Sequence, residues 1–213
     1  MTAADYAKAA RALARRDPVI GELVRKFGAC GLGRSQHAEP FSALVHAIIS
    51  QQLSSRAAAT IAARFRALFA SEFPSPADVA QIADERLRAV GLSGQKTSYL
   101  RDLCRRIEDG SLPLDRLHDM EDEAVIAALV EVKGIGRWTA EMFLMFRLQR
   151  PDVLPVGDLG IVKAVQKQYR LRKVPTPDRL KRIGEAWRPY RSVACWYLWA
   201  SLDNLPTKEE KRA

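Results

Sequence analysis

The sequence predicts an all-α fold, and three observations predict it. Apolar residues recur at 3.6-residue spacing through almost every stretch, the β-branched alternation that marks strands is nearly absent, and capping residues, prolines and glycines bracket each periodic segment. At 213 residues the chain is long enough to bury a core without disulfides, as one compact unit or two small lobes.

Taken in order, residues 3–15 read as a helix ended by Asp17-Pro18, and residues 19–27 as a second helix closed by Gly28. Gly31-Leu32-Gly33-Arg34 is a loop. Pro40 opens a helix whose Phe41, Leu44, Val45, Ile48 and Ile49 form one unbroken apolar stripe, so it is expected to be the central buried helix. It ends in the polar cluster Ser50-Gln51-Gln52. Ser54 suits the cap of an alanine-rich helix carrying Ile61, Phe65, Leu68 and Phe69, and Ser75-Pro76 is a cap and first-turn proline for a short helix. Gly91 reads as a helix closure. Ser93 then caps a helix bearing Tyr99, Leu100, Leu103 and Ile107, which Gly110 closes.

Next comes Val132-Lys133-Gly134-Ile135-Gly136-Arg137-Trp138-Thr139-Ala140, a glycine-punctuated turn between two periodic segments, which reads as helix, hairpin, helix. Upstream, Asp119, Glu121, Asp122 and Glu123 suit a helix N-terminus, and Val125, Ile126, Leu129 and Val130 mark a buried face. Downstream, Trp138, Met142, Met145 and Phe146 mark the next. Two glycines so close together let the chain turn sharply and bring backbone N–H groups against a phosphate; an ordinary αα-hairpin with a glycine cap satisfies the same pattern. Residues 149–157 form a proline and glycine loop, Asp158 opens a helix through Val162, Val165 and Tyr169, and a basic stretch with Pro175 and Pro177 leads to residues 180–187. Residues 190–202 are the last apolar helix, and 206–213 read as loose.

Composition bounds the partners. Lys plus Arg number 34 against 25 Asp plus Glu, a net charge of +9, which favours an anionic partner such as nucleic acid, though a merely soluble basic surface has the same composition. Three widely spaced cysteines, Cys30, Cys104 and Cys195, point to a reducing compartment and to thiols that pack. His37, His46 and His118 form no metal-ligand spacing with them. The first 16 residues read as an amphipathic helix rather than a targeting segment, and the apolar run at 193–202 is too short to span a bilayer. A cytoplasmic, nucleoid-associated monomer with no membrane contact is the expectation.

Beyond the hairpin, four stretches carry a family likeness: Pro40-Phe41 through Ser50-Gln51-Gln52-Leu53-Ser54; Val90-Gly91-Leu92-Ser93 with Lys96 and Tyr99-Leu100; Leu154-Pro155-Val156-Gly157-Asp158-Leu159-Gly160-Ile161; and Trp187-Arg188-Pro189-Tyr190-Arg191-Ser192. Over roughly residues 11–205 the chain resembles the helix-hairpin-helix DNA glycosylase superfamily, and within it the AlkA-like 3-methyladenine DNA glycosylase II branch, in a short form without the N-terminal β-domain. The resemblance implies a single glycosylase unit over 1–213 with two helical lobes. Residues 38–145, with the hairpin at 132–137, would form the first, residues 1–37 plus 146–213 the second, and a DNA-binding cleft would lie between them. It also implies excision of alkylated bases such as 3-methyladenine and 7-methylguanine from double-stranded DNA by base flipping, as part of base excision repair.

The same resemblance assigns the site. Asp158 matches the catalytic aspartate, which would stabilise the positive charge that develops on deoxyribose as the base leaves; an aspartate at a helix start is equally a good N-cap. Relatives that also cleave the strand carry a Schiff-base lysine after Gly-Arg, where this chain has Trp138, so no lyase activity is expected. Trp138 and Tyr190 match the base pocket, and Met142 lies one turn after Trp138 on the same face, although each could be core. Gln52 matches the wedge that fills the gap left by an extruded nucleotide; a helix-terminal polar residue is the plainer reading. Lys133, Gly134, Gly136, Arg137 and Thr139 would contact the DNA backbone, with Lys133 equally a solvated charge. Asp152 is the rival carboxylate, expected to be a solvated loop residue. No cofactor is expected: no four-cysteine iron–sulfur loop follows Cys195, and the hairpin carbonyls near Val132 and Ile135 are at most a seat for a monovalent cation. Two rivals stay open: a mismatch or oxidised-base glycosylase of the same superfamily, and a non-catalytic hairpin module that binds DNA, with Asp158 only a cap.

Overall fold

The computed structural model describes residues 1–33, 39–71 and 74–202; His37, Arg34 and residues 206–213, read above as loose, lie outside them. Among the described residues there is no strand. The helices are α1 (Ala3–Arg16), α2 (Pro18–Phe27), α3 (Pro40–Ser50), α4 (Ser55–Arg66), α5 (Pro76–Gln81), α6 (Asp84–Ala89), α7 (Gly94–Glu108), α8 (Asp122–Val130), α9 (Arg137–Met142), α10 (Leu159–Gln168), α11 (Pro177–Gly184) and α12 (Arg191–Ala200). No helix among the described residues is long and apolar enough to cross a membrane.

Local chemistry sets most boundaries. Thr2 with Asp5, and Ser75 with Asp78, form reciprocal capping boxes, while Ser54, Ser93, Thr176 and Asp158 each accept a first-turn N–H. α4 stops at Arg66, so Leu68 and Phe69 lie beyond the helix expected to carry them; the Phe69 ring packs on Phe65 at 5.2 Å.

The chain divides into two compact units, Gln36–Phe143 and Met1–Ser35 with Leu144–Ala213. In the first, α3 packs on α4 and α7, α5 and α6 pack on α7, and α8 packs on α9. The α3 stripe of Phe41, Leu44, Val45, Ile48 and Ile49 is buried throughout, each side chain stabilising the unit by about 1.5–3 kcal/mol. Arg101 of α7 ties the end of α5 to the start of α6, donating to the Val79 and Ala80 carbonyls at 2.9 Å and to Asp84 at 2.8 Å.

In the second unit α1 packs on α2, and α12 packs on α1, α2 and α10. Asp17 links two levels of structure here. One carboxylate oxygen caps α2 through the Val19 and Ile20 N–H groups, and the other accepts from Tyr169 and from the fully buried Trp187 indole at 3.0 Å. Cys104 and Cys195 are buried and Cys30 partly so; burial pushes the Cys30 and Cys104 thiols up to about 12, which makes them packing groups rather than nucleophiles.

Candidate nucleic-acid interface and catalytic carboxylate

α8 and α9 form the expected hairpin, with two departures from the periodicity. Val130 is 40 % exposed, because at 100° per residue it falls about 90° from the centre of the stripe made by Val125, Ile126 and Leu129. Trp138 is 51 % exposed rather than on a buried face with Met142, Met145 and Phe146. α9 has six residues, of which Ala140 and Glu141 are buried and Met142 is half-buried, and it ends in a π-turn at Phe143–Arg147. Trp138 thus presents an aromatic surface outward.

The glycines of the turn are not equivalent. Gly134 has φ +80°, and a Cβ there would fall 2.1 Å from the Tyr99 ring; Gly136 has φ −92° and nothing within 4 Å of a Cβ. The first is dictated by the fold. At the second the fold leaves room, and Gly136 opens α9 without a side-chain cap.

Several of the turn's donors face inward. The Ile135 N–H donates to the Val132 carbonyl at 3.0 Å, and the Lys133 N–H to the Asp102 carboxylate at 2.9 Å. Of the expected backbone contacts, the Lys133 side chain is exposed and Thr139 half-buried. Arg137 is otherwise engaged: its guanidinium meets Glu123 at 3.0 Å and Glu141 at 3.1 Å, clamping α9 to α8.

Asp102, which nothing in the sequence marked, anchors the turn to α7. Burial acts to raise its carboxyl, but the Lys133 N–H, Arg105 and Arg106 outweigh it and hold the group at about 2. A carboxyl depressed on folding stabilises above its unfolded value, and that stabilisation is lost as pH falls through the folded one. Asp102→Asn should therefore cost about 1–2 kcal/mol at pH 7, with the gap to wild type closing between about pH 4 and pH 2. Denaturant unfolding at stepped pH measures it, and a gap unchanged at pH 2 would mean that the carboxylate's charge plays no part.

Gln52 lies just past α3 in the left-handed region, φ +57°, with its side chain exposed and Leu53 exposed beside it. Lys96 and Gln51 hold this turn: Lys96 Nζ donates to the Ile49 and Gln51 carbonyls at 2.7 and 2.8 Å, and Gln51 Nε2 donates to the Gly134 carbonyl at 2.8 Å.

The other unit holds the carboxylate. Asp158 is 8 % exposed at the N-cap of α10, and its Oδ1 accepts from the Ile161 N–H at 2.7 Å and from Trp199 Nε1 at 2.9 Å. Gly160 permits this approach, since a Cβ there would lie 3.0 Å from both Asp158 Oδ1 and Trp199. The Phe146 ring stacks on Trp199 at 5.8 Å. Trp199 sits in a stretch read only as apolar helix, so its indole donor had no sequence signal. Tyr190 is half-buried just before α12. Asp152 is not a solvated residue: its carboxylate pairs with Arg188 at 2.9 Å and Arg191 at 2.8 Å, and Arg191 also reaches its carbonyl. Two cations against one anion disqualify it as rival to Asp158.

The structure thus gathers Gln52, Lys133, Gly134, Gly136, Arg137, Trp138, Thr139 and Met142 on one unit, and Asp158 and Tyr190 on the other. No group of three or more His, Cys, Asp or Glu among the described residues is placed to hold a metal.

A glycine-turned helical pair, followed by a proline and glycine loop and a buried, capped aspartate, defines the helix-hairpin-helix class of DNA repair proteins. Residues 45–189 match the HhH-GPD superfamily of base excision DNA repair proteins, and the chain belongs to that superfamily. It is 37 % identical over 180 residues to DNA-3-methyladenine glycosylase 1 of Schizosaccharomyces pombe, covering 83 % of this chain and 79 % of that one. The S. pombe 3-methyladenine DNA glycosylase solved with abasic DNA superposes with a TM-score of 0.77 at 34 % identity, over 91 % of this chain and 96 % of that one. A DNA-3-methyladenine glycosidase from Bacillus halodurans gives 0.81 at 34 % identity, over 92 % and 89 %.

Proposed function

We propose that this protein is a monofunctional DNA glycosylase that hydrolyses the bond between deoxyribose and alkylated, positively charged bases in duplex DNA. The observation that carries the reading is Asp158, a buried carboxylate fixed through one oxygen by a helix N–H and an indole N–H. Such a group is preorganised to oppose positive charge on the sugar without reorganising when it develops. As the bond stretches, its electron pair leaves with the base, a cationic base departs neutral, and water adds to the sugar carbon with loss of a proton. A base that already carries positive charge needs little acid assistance, and neither described histidine, His46 or His118, is among the matched site residues. An outward Trp138 face attracts a cationic ring by about 0.5–2 kcal/mol, and Gln52 fills the gap in the duplex. Phosphate contacts fall to the first turn of α9 and to Lys133, since the Lys133 and Ile135 N–H groups are taken. A monovalent cation held by the Val132 and Ile135 carbonyls would add positive charge there; the Val132 oxygen keeps a lone pair beyond the one the Ile135 N–H takes.

Incubation with methylated duplex DNA should release 3-methyladenine and 7-methylguanine and leave abasic sites. Binding without release would instead favour a non-catalytic hairpin module. Borohydride should trap no protein–DNA adduct, because Trp138 stands where an amine would be needed and the Lys96 amine is held by two carbonyls. A covalent band on a denaturing gel after reduction would overturn the monofunctional assignment.

A further inference from the structure

We infer that Lys96 is a positioning residue for Gln52, and that through Gln51 it couples the wedge turn to the hairpin, so that α7 sets both in one register. The inference rests on the reading of Gln52 as wedge. A glutamine at φ +57° is strained, and such a conformation persists only where its surroundings over-determine it. Here they do. The α3 C-terminus leaves carbonyls without helical partners, and Lys96 Nζ bridges two of them, Ile49 and Gln51, immediately ahead of Gln52. Gln51 then reaches from that turn to the Gly134 carbonyl. Gly134 itself rests on Tyr99, three residues along α7 from Lys96, and the Lys133 N–H binds Asp102 three residues further. Lys96, Tyr99 and Asp102 therefore occupy successive turns of one helix and touch the wedge turn, the hairpin glycine and the hairpin backbone in that order. Burial lowers the Lys96 ammonium from its ordinary range, a cost that an exposed lysine would not carry.

The experiment uses the full chain and a duplex with a tetrahydrofuran abasic analogue opposite 2-aminopurine, read at saturating protein, so it needs no base release. Wild type should change the 2-aminopurine emission, and Gln52→Ala should lose that change. Lys96→Met keeps length and removes the donors; it should lower the population of the seated wedge by about tenfold. The Lys96→Met, Gln52→Ala pair should lose no more than Gln52→Ala alone, because one acts through the other. A merely structural lysine would leave Lys96→Met with a wild-type emission change, and that result overturns the inference. Where Lys96→Met fails to fold, Gln51→Ala decides: it deletes only the link to Gly134 and should weaken the emission change, and a wild-type response from it would refute the coupling. Base release with no emission change in wild type removes the positioning role alone, whereas an emission change without base release removes the catalytic reading alone.

Discussion

Asparagine in place of Asp158 should slow base release by at least about 10²-fold while leaving unfolding and DNA affinity close to wild type. The geometry separates the two effects. Asp158 Oδ1 accepts both hydrogen bonds, from the Ile161 N–H and the Trp199 indole, and an amide oxygen in the same place accepts both as well. Asparagine is also about as good an N-cap as aspartate, so α10 keeps its start. The substitution removes the negative charge, which is proposed to oppose the developing cation on deoxyribose. Single-turnover release from methylated duplex, beside a binding isotherm on an abasic analogue, measures the split. Wild-type release from the variant would return Asp158 to a structural cap, and a parallel loss of folding would show that the charge itself holds the α10 N-terminus in place.

How much of this was legible in the sequence follows from the range of each interaction. Caps, glycine closures and the α3 stripe are local, set within four residues, and Ser54, Ser75, Ser93 and Asp158 all cap as their neighbours imply. The faces of α9 were not legible: a uniform 3.6 period points Trp138 and Met142 inward, whereas Ala140 and Glu141 are the buried residues and the α-helix gives way to a π-turn after Met142. Asp152 read as solvated because its partners, Arg188 and Arg191, lie 36 and 39 residues away. Trp199 is 41 residues from Asp158, and Gln51 is 83 from Gly134. Resemblance pointed to Lys96 and Tyr99 as places without saying what they do; the contacts say it.

Gly134→Ala should destabilise the Gln36–Phe143 unit by about 2–5 kcal/mol, whereas Gly136→Ala should cost about 1 kcal/mol or less. At Gly134 two penalties combine. A left-handed φ of +80° costs an alanine about 1–2 kcal/mol, and a methyl aimed 2.1 Å from the Tyr99 ring forces an overpacking shift of about 1–3 kcal/mol. A turn of the Tyr99 ring would also strain the hydrogen bond that its hydroxyl accepts from Gln95 at 2.6 Å. Gly136 has an ordinary φ and open space, so its alanine meets only the weaker cap preference. A double variant separates the penalties: in a Tyr99→Ala background the clash disappears and Gly134→Ala should cost only its backbone share, a coupling visible in denaturant unfolding. Equal costs in both backgrounds would mean that Tyr99 does not support the hairpin. The two glycines should also differ in DNA binding. Gly136→Ala should fold and yet weaken affinity across sequences alike, because its methyl projects where a phosphate would approach the first turn of α9, and unchanged affinity would move the phosphate contact elsewhere.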